Sequence, residues 1–263
     1  MTVSPPVLTA TSIVTRLRAA GCVYAEDETR LLTTTATTPA ELEDMVGRRI
    51  AGLPLEHVLG WAEFCGLRIT VEAGVFVPRR RTEFLVRQAA ALAPPKPVVV
   101  DLCCGSGAVG AALAATLDLA ELHAADIDPA AVRCARDNIP DALGHVYEGD
   151  LYTPLPETLR GRVDILAVNA PYVPTDAIGL MPPEARLHEP RVALDGGADG
   201  LDVQRRVAAE ATRWLAPGGH LLIETSERQA AGTAETFARN GLSVRITDSE
   251  ELDATVVIGT RQT

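Results

Sequence analysis

Positive charge is in short supply in this chain. Its 24 Lys and Arg stand against 35 Asp and Glu, a formal net charge of −11. A non-specific nucleic-acid binder needs a basic face, so that balance argues against one, while leaving room for a local basic patch. Long apolar runs are missing too. No stretch reaches the roughly 18 residues of a membrane-spanning helix, and the N-terminus lacks a basic-then-apolar leader pattern. The 5 cysteines (Cys22, Cys65, Cys103, Cys104, Cys134) are odd in number and lack paired C-x-x-C spacing. Neither a disulfide framework nor a zinc site is indicated, and adjacent Cys103 and Cys104 fit free thiols in a reducing cytosol. The 5 histidines are scattered, with no Ser/His/Asp or Cys/His nucleophile arrangement beside them. No metal is expected. There is no clear internal repeat. These absences describe a soluble cytoplasmic protein without a membrane partner and with nucleic acid disfavoured as a direct one.

What is present is ample core material: 47% of 263 residues are hydrophobic, a length that suits one large domain and a small one. The chain is organised around Val98-Val99-Val100-Asp101-Leu102-Cys103-Cys104-Gly105-Ser106-Gly107-Ala108-Val109-Gly110. A β-branched run passes through an acid and two glycines into an Ala/Leu run, which predicts a buried parallel strand, a tight turn and a helix. Such a turn sits at the carboxyl end of a strand, where open α/β sheets bind ligands. Gly105 and Gly107 let backbone approach a ligand closely. No Gly-Lys-Ser/Thr follows, so this is not a phosphate-cradling P-loop. Gly105, Gly107 and Gly110 do have G-x-G-x-x-G spacing, but the acid precedes them.

A second acid, Asp126, ends the next strand-like run, Glu121 to Asp126. A carboxylate there can accept both ribose hydroxyl protons of an adenosine-type ligand. Asp128 and Pro129 then open a helix as N-cap and first residue. To this point a nicotinamide dinucleotide and S-adenosyl-L-methionine fit equally. The third feature is Asn169-Ala170-Pro171-Tyr172, directly after the apolar run Val163 to Val168. With it the chain resembles the class I methyltransferases that use S-adenosylmethionine, and among them those that methylate an amino group in a planar, conjugated system.

Residues 1–60 read as three or four short amphipathic helices, a bundle suited to docking a substrate or partner. Residues 61–75 read as a β-hairpin linker with Gly66 near its turn. From 76 to 263, strands and helices alternate: Phe84 to Leu92 helical, His145 to Glu148 a strand, Asp202 to Leu215 a helix ended by Pro217-Gly218-Gly219, His220 to Glu224 a strand, Ser226 to Asn240 a helix, and a final strand pair. That order predicts an α/β fold with a seven-stranded, mostly parallel sheet, one antiparallel strand and helices on both faces.

Several stretches narrow the resemblance. Pro54 to Gly60, Ala62 to Gly66, Val77-Pro78-Arg79 with Thr82-Glu83, and the long run Glu189 to Leu201 are similar to the protein-(glutamine-N5) methyltransferases of the HemK type, which methylate peptide-chain release factors. The resemblance implies a Rossmann-like methyltransferase domain, S-adenosylmethionine as cofactor with S-adenosyl-L-homocysteine as product, and a protein substrate such as a release factor. It places the cofactor on Asp101, Leu102, Cys103, Cys104, Gly105, Gly107, Asp126, Ile127, Asp150, Leu151 and Asn169. Asp150 is the candidate acceptor for the adenine amino group, with Leu151 on the ring. Asn169, Ala170, Pro171 and Tyr172 are the catalytic and substrate-binding set.

The chain departs from the family in places. Ala170 takes the first Pro of the usual Asn-Pro-Pro-Tyr, Arg80-Arg81 replaces Pro-Glu, Leu151 stands where an aromatic is often found, and Cys103-Cys104 occupies the turn. These departures bear on the substrate more than on the reaction. A small-molecule or nucleic-acid amino N-methyltransferase and a non-catalytic cofactor-binding adaptor stand as alternatives. Arg79 to Arg81 read as a solvated charge run, with an anion-facing patch as the alternative, and Glu189 and Arg191 as residues that pin a loop over the site.

Overall fold

The computed structural model describes residues 8–263; the first seven residues of the expected 1–60 module lie outside them. Four helices come first: α1 (Ala10–Ala19), α2 (Ala25–Thr35), α3 (Pro39–Ile50) and α4 (Leu55–Leu59). Local chemistry sets their starts. Thr9 and Ser12 form a reciprocal capping box at α1, and Thr38 caps α3 with Pro39 in its first turn. Ile13, Leu17, Leu32, Met45, Val46 and Val58 make a core of their own between these helices. Arg49 is buried there. It pairs with Glu28 of α2 at 2.7 Å and, at 2.7 Å, with Glu184, far away in the chain.

The hairpin β1 (Trp61–Phe64) and β2 (Leu67–Thr70) follows. Phe64, Ile69, Val71, Val75 and Val77 share one buried cluster with the helices and strands beyond, so this segment packs on the large domain rather than hanging between two bodies. Then come α5 (Glu83–Leu92), β3 (Val98–Leu102), α6 (Ala108–Thr116), β4 (Glu121–Asp126), α7 (Pro129–Asn138), β5 (His145–Glu148), β6 (Val163–Val168), the short α8 (Pro183–His188), α9 (Asp202–Trp214), β7 (Leu215–Thr225), α10 (Glu227–Arg239), β8 (Leu242–Ser249) and β9 (Ala254–Arg261).

The seven-stranded sheet has the order β5-β4-β3-β6-β7-β9-β8. β9 runs opposite to the other six strands of this sheet. Every residue of β3 is buried, as a central strand covered on both faces must be. One boundary differs from the sequence reading. Pro217-Gly218-Gly219 does not terminate α9, which ends at Trp214; these residues lie inside β7, where the pairing with β6 shifts register between Val163 and Ile165. Gly219 is needed there because a Cβ would come within 2.6 Å of the Val163 carbonyl oxygen. The chain leaves β3 toward β4 on one side and β6 on the other, and that switch point opens a cleft at the carboxyl ends of the strands.

Candidate functional site

Three strand ends and one loop supply the cleft. At the end of β3, Asp101 is 1% exposed, and one carboxylate oxygen accepts the Gly110 N–H of α6 at 2.8 Å. The donor is an amide of the first helical turn rather than one of the turn 103–107. Burial pushes the Asp101 carboxyl up to about 7, the Gly110 amide opposes that, and nearby Asp126 adds to it. At the end of β4, the two Asp126 oxygens accept N–H groups of Gly105 (2.8 Å) and Asp128 (2.9 Å). Burial raises Asp126 as well, against the pull of those amides. The turn between Asp101 and α6 closes with Gly107 at φ 77°, a left-handed N-cap that a Cβ would strain.

Leu102 is fully buried beneath this turn, while Cys103, Cys104, Gly105, Ile127, Asp150 and Leu151 line the cleft. Desolvation holds both thiols well above their usual range, which disfavours the thiolate form. Asp150 is half-exposed and bound to Arg206 of α9 at 2.5 Å. The ion pair occupies part of the acceptor capacity expected for adenine.

Across the cleft, Asn169 and Ala170 leave β6, and Asn169 Nδ2 donates to Thr82 Oγ1 at 3.4 Å. Ala170 is 1% exposed. The Tyr172 hydroxyl donates to Glu224, at the end of β7, at 3.3 Å. Burial, then the Glu224 carboxylate, keep that phenol protonated far above its ordinary range. The loop is braced from outside by 194–200. Val173 N–H donates to the Leu194 carbonyl, and Gly196 N–H donates to the Val173 carbonyl. Gly200 is obligatory: a Cβ there would lie 2.2 Å from the Tyr172 carbonyl oxygen. The Gly-rich run therefore serves to bring one backbone against another.

The solvated reading of Arg79 to Arg81 is overturned at Arg79, and Arg81, though exposed, faces a buried acid. Arg79 binds Glu189 at 2.6 Å, and Glu189 also accepts the Val77 N–H at 3.2 Å. Arg81 approaches Glu224 at 3.5 Å. Buried carboxylates demand such partners, and both lie far away in the chain, out of sight of a local pattern. Glu189 does fix the loop, together with an Arg191–Asp195 pair at 3.0 Å. The sequence reading missed Thr82, Glu224 and Arg206. For Glu224 a signal existed: an acid closing an apolar strand, the same signal that singled out Asp101 and Asp126.

Asp101, a buried carboxylate raised by burial, suits a ligand that carries positive charge, as S-adenosylmethionine does, while Asp126 stands ready for ribose hydroxyls. The methyltransferase small domain family matches residues 66–181. Among solved structures, a methyltransferase from Pyrococcus furiosus aligns with TM-score 0.57 at 16% identity, covering 84% of this chain and all of that one (100%). The fold and cleft define a class I S-adenosylmethionine-dependent methyltransferase. A release factor glutamine methyltransferase from Geobacter sulfurreducens is 37% identical over 84% of this chain and 78% of its own length. Another, from Mycolicibacterium smegmatis, is 39% identical over 81% and 76%. The chain belongs to the release factor glutamine methyltransferase family. A 4-amino-L-phenylalanine/4-methylamino-L-phenylalanine methyltransferase from Streptomyces pristinaespiralis is also 36% identical, over 77% of this chain and 71% of its own.

Proposed function

We propose that this protein methylates the side-chain amide nitrogen of a glutamine in a peptide-chain release factor. The cofactor supplies an electrophilic methyl group on a sulfonium centre. An amide nitrogen attacks poorly, because its lone pair is delocalised into the carbonyl, so the chain's own residues must hold it in line and favour its charged state. Asn169 Oδ1 and the Ala170 carbonyl each accept one N–H of the target amide. Both acceptors strengthen as the nitrogen gains positive charge, so they favour the transition state over the bound substrate. The N–C bond forms as the S–C bond breaks, and one amide proton leaves to solvent. Pro171 restrains the backbone that carries the Ala170 carbonyl, and Tyr172 packs its ring on the flat amide. Asp101 and Asp126 hold the cofactor, joined by the turn at Gly105 and by Ile127, Asp150 and Leu151.

The observation that carries the reading is the loop 169–172, set against the cofactor turn at the sheet's switch point and braced by 194–200. The N-terminal helices α1–α4 serve as the docking module for the protein substrate, and the reaction runs in the cytoplasm. No described helix is long and apolar enough to cross a membrane.

The test is methyl transfer from labelled cofactor to a purified release factor and to a Gly-Gly-Gln peptide, read by mass spectrometry of the glutamine. Transfer to neither, with full cofactor binding, sinks the proposal. A second reading follows from the Streptomyces pristinaespiralis relative, whose name specifies an aromatic amine, together with Ala170 in place of proline. Transfer to 4-amino-phenylalanine and not to the peptide would favour it.

A further inference from the structure

Gln229 stands in the first turn of α10, a helix anchored by buried Ala230, Thr233 and Phe237. Its Nε2 donates to the Tyr172 carbonyl at 2.8 Å and to the Asp199 carbonyl at 2.9 Å. Neither carbonyl accepts a backbone N–H among the described residues. At the other end of the amide, the Ser226 hydroxyl donates to Gln229 Oε1 at 2.6 Å. Ser226 is the N-cap of α10, where a serine oxygen ordinarily accepts a helix N–H, yet its side chain makes no capping bond. The hydroxyl is turned to Gln229 instead. A Cβ on Gly200 would strike Nε2 as well as the Tyr172 carbonyl, so the glycine also makes room for this side chain.

We propose that Gln229 is a positioning residue for methyl transfer, stapling the 169–172 loop to the segment 194–200 and so setting where Tyr172 and the Ala170 carbonyl meet the target. The inference rests on the amide clamp given above. It follows from donor counting. Two carbonyls can only accept, so the NH₂ end must face them, and its two protons are both used. The serine hydroxyl then fills the oxygen and holds the amide in that sense. A lysine at this place would have donors and no acceptor, and a carboxylate the reverse.

The staple acts where backbone pairing does not. Between the two segments, backbone N–H groups join Val173 to Leu194 and Gly196, and Thr175 to Gly197. All of these lie on the far side of Tyr172 from the clamp. At Tyr172 itself the tie to 194–200 is Gln229. Pro171 stiffens the link from there back to the Ala170 carbonyl, so a shift at the Tyr172 carbonyl is passed on to the acceptor. The cofactor turn has no part in these contacts.

The experiment measures turnover against pH at saturating cofactor, for the full-length chain with release factor or Gly-Gly-Gln peptide. Calorimetric binding of S-adenosylhomocysteine reports folding and the cofactor half. Gln229→Met keeps the length and removes both donors. It is expected to lose up to about 10²-fold in turnover, the scale of a slight misplacement passed on from outside the chemistry, while the peptide KM rises far less. Gln229→Glu has the same outline. Ionised, it only accepts and is repelled by both carbonyls; protonated, it donates once. Its ratio to the parent therefore climbs as pH falls, while the ratio for Gln229→Met stays flat. A contact that only stabilised the fold would leave both ratios flat wherever the variants are folded. Ser226→Ala keeps both donors and loses less than Gln229→Met. Cofactor affinity stays near the parent's in all three. Parent-like turnover in Gln229→Met overturns the staple, as does a Gln229→Glu ratio that does not rise on acidification, a larger loss in Ser226→Ala, or a loss of cofactor affinity that matches the loss of turnover. If Gln229→Met does not fold, the pH ratio of Gln229→Glu decides. A parent that methylates no glutamine overturns the function proposed above; the same ratios on 4-amino-phenylalanine then decide the staple, and a parent inactive on both acceptors overturns it too.

Discussion

Residues 101–126 hold nearly all that the cofactor half of the cleft requires: two strand-end acids and the turn between the first of them and its helix. The target half draws on Arg79 to Thr82, Asn169 to Tyr172, Glu189 to Gly200 and Glu224, segments far apart in the chain. The difference extends to chemistry. Polar contacts in the cofactor half run mostly from backbone amides to carboxylates, which any tight strand–turn–helix unit can form. Those in the target half include side-chain pairs, and they exist only once four distant segments have met. A local unit is robust to change elsewhere, whereas the assembled half can be retuned one residue at a time.

The largest expected effect breaks the target half and spares the other. Asn169→Ala removes one of two amide acceptors and is expected to lose about 10²–10³-fold in single-turnover methyl transfer, the scale for one preorganised transition-state partner. Calorimetric cofactor affinity should fall far less. If the variant turns over like the parent, the clamp is wrong.

Asp126→Ala is the converse. It should weaken S-adenosylmethionine binding by about 1.5–3 kcal/mol, the range for hydrogen bonds to a charged group. Turnover at saturating cofactor should change little. An unchanged dissociation constant would move the ribose site elsewhere, and collapsed folding would mean that the Gly105 and Asp128 amides matter more than the ligand.

A pH series sharpens the same contrast. The folded, ligand-free protein holds the Asp101 proton up to about 7, whereas the unfolded chain releases it near the ordinary 3.8. Unfolding thus releases a proton between those values, so ligand-free stability falls as pH rises through that window and is greatest below it. A cationic cofactor needs the carboxylate, so its binding expels the proton. Affinity should weaken by up to about tenfold per pH unit below about 7. Asp101→Asn should flatten both dependences, read by thermal unfolding and calorimetry. A flat profile in the parent would show that Asp101 is ionised before the ligand arrives.

The smallest effect concerns Ala170. Ala170→Pro keeps the carbonyl on a stiffer backbone and is expected to stabilise by about 0.4–1 kcal/mol, chiefly by restricting the unfolded chain. Turnover on the glutamine substrate should hold or rise. A large loss would show that the buried Ala170 conformation excludes proline, and that the departure is tied to a different target.

By itself the sequence determined the order of strands and helices, the cofactor turn and the Asn169 loop, because each is a short-range pattern: a β-branched run, a capped helix, an acid before glycines. It also marked Glu189 to Leu201 as a unit, though not why. Only the tertiary structure decided that Gly200 is there to let backbone lie against Tyr172, that Arg79 and Arg81 meet buried acids far away in the chain, and that Thr82 and Glu224 belong to the site. All three are contacts between segments far apart in the chain, steric at Gly200 and electrostatic at the other two. A buried carboxylate is tolerable only beside its partners, and those partners are brought by the sheet's order, which sets β7 beside β6 and the segment before α5 over both, not by their distance along the chain.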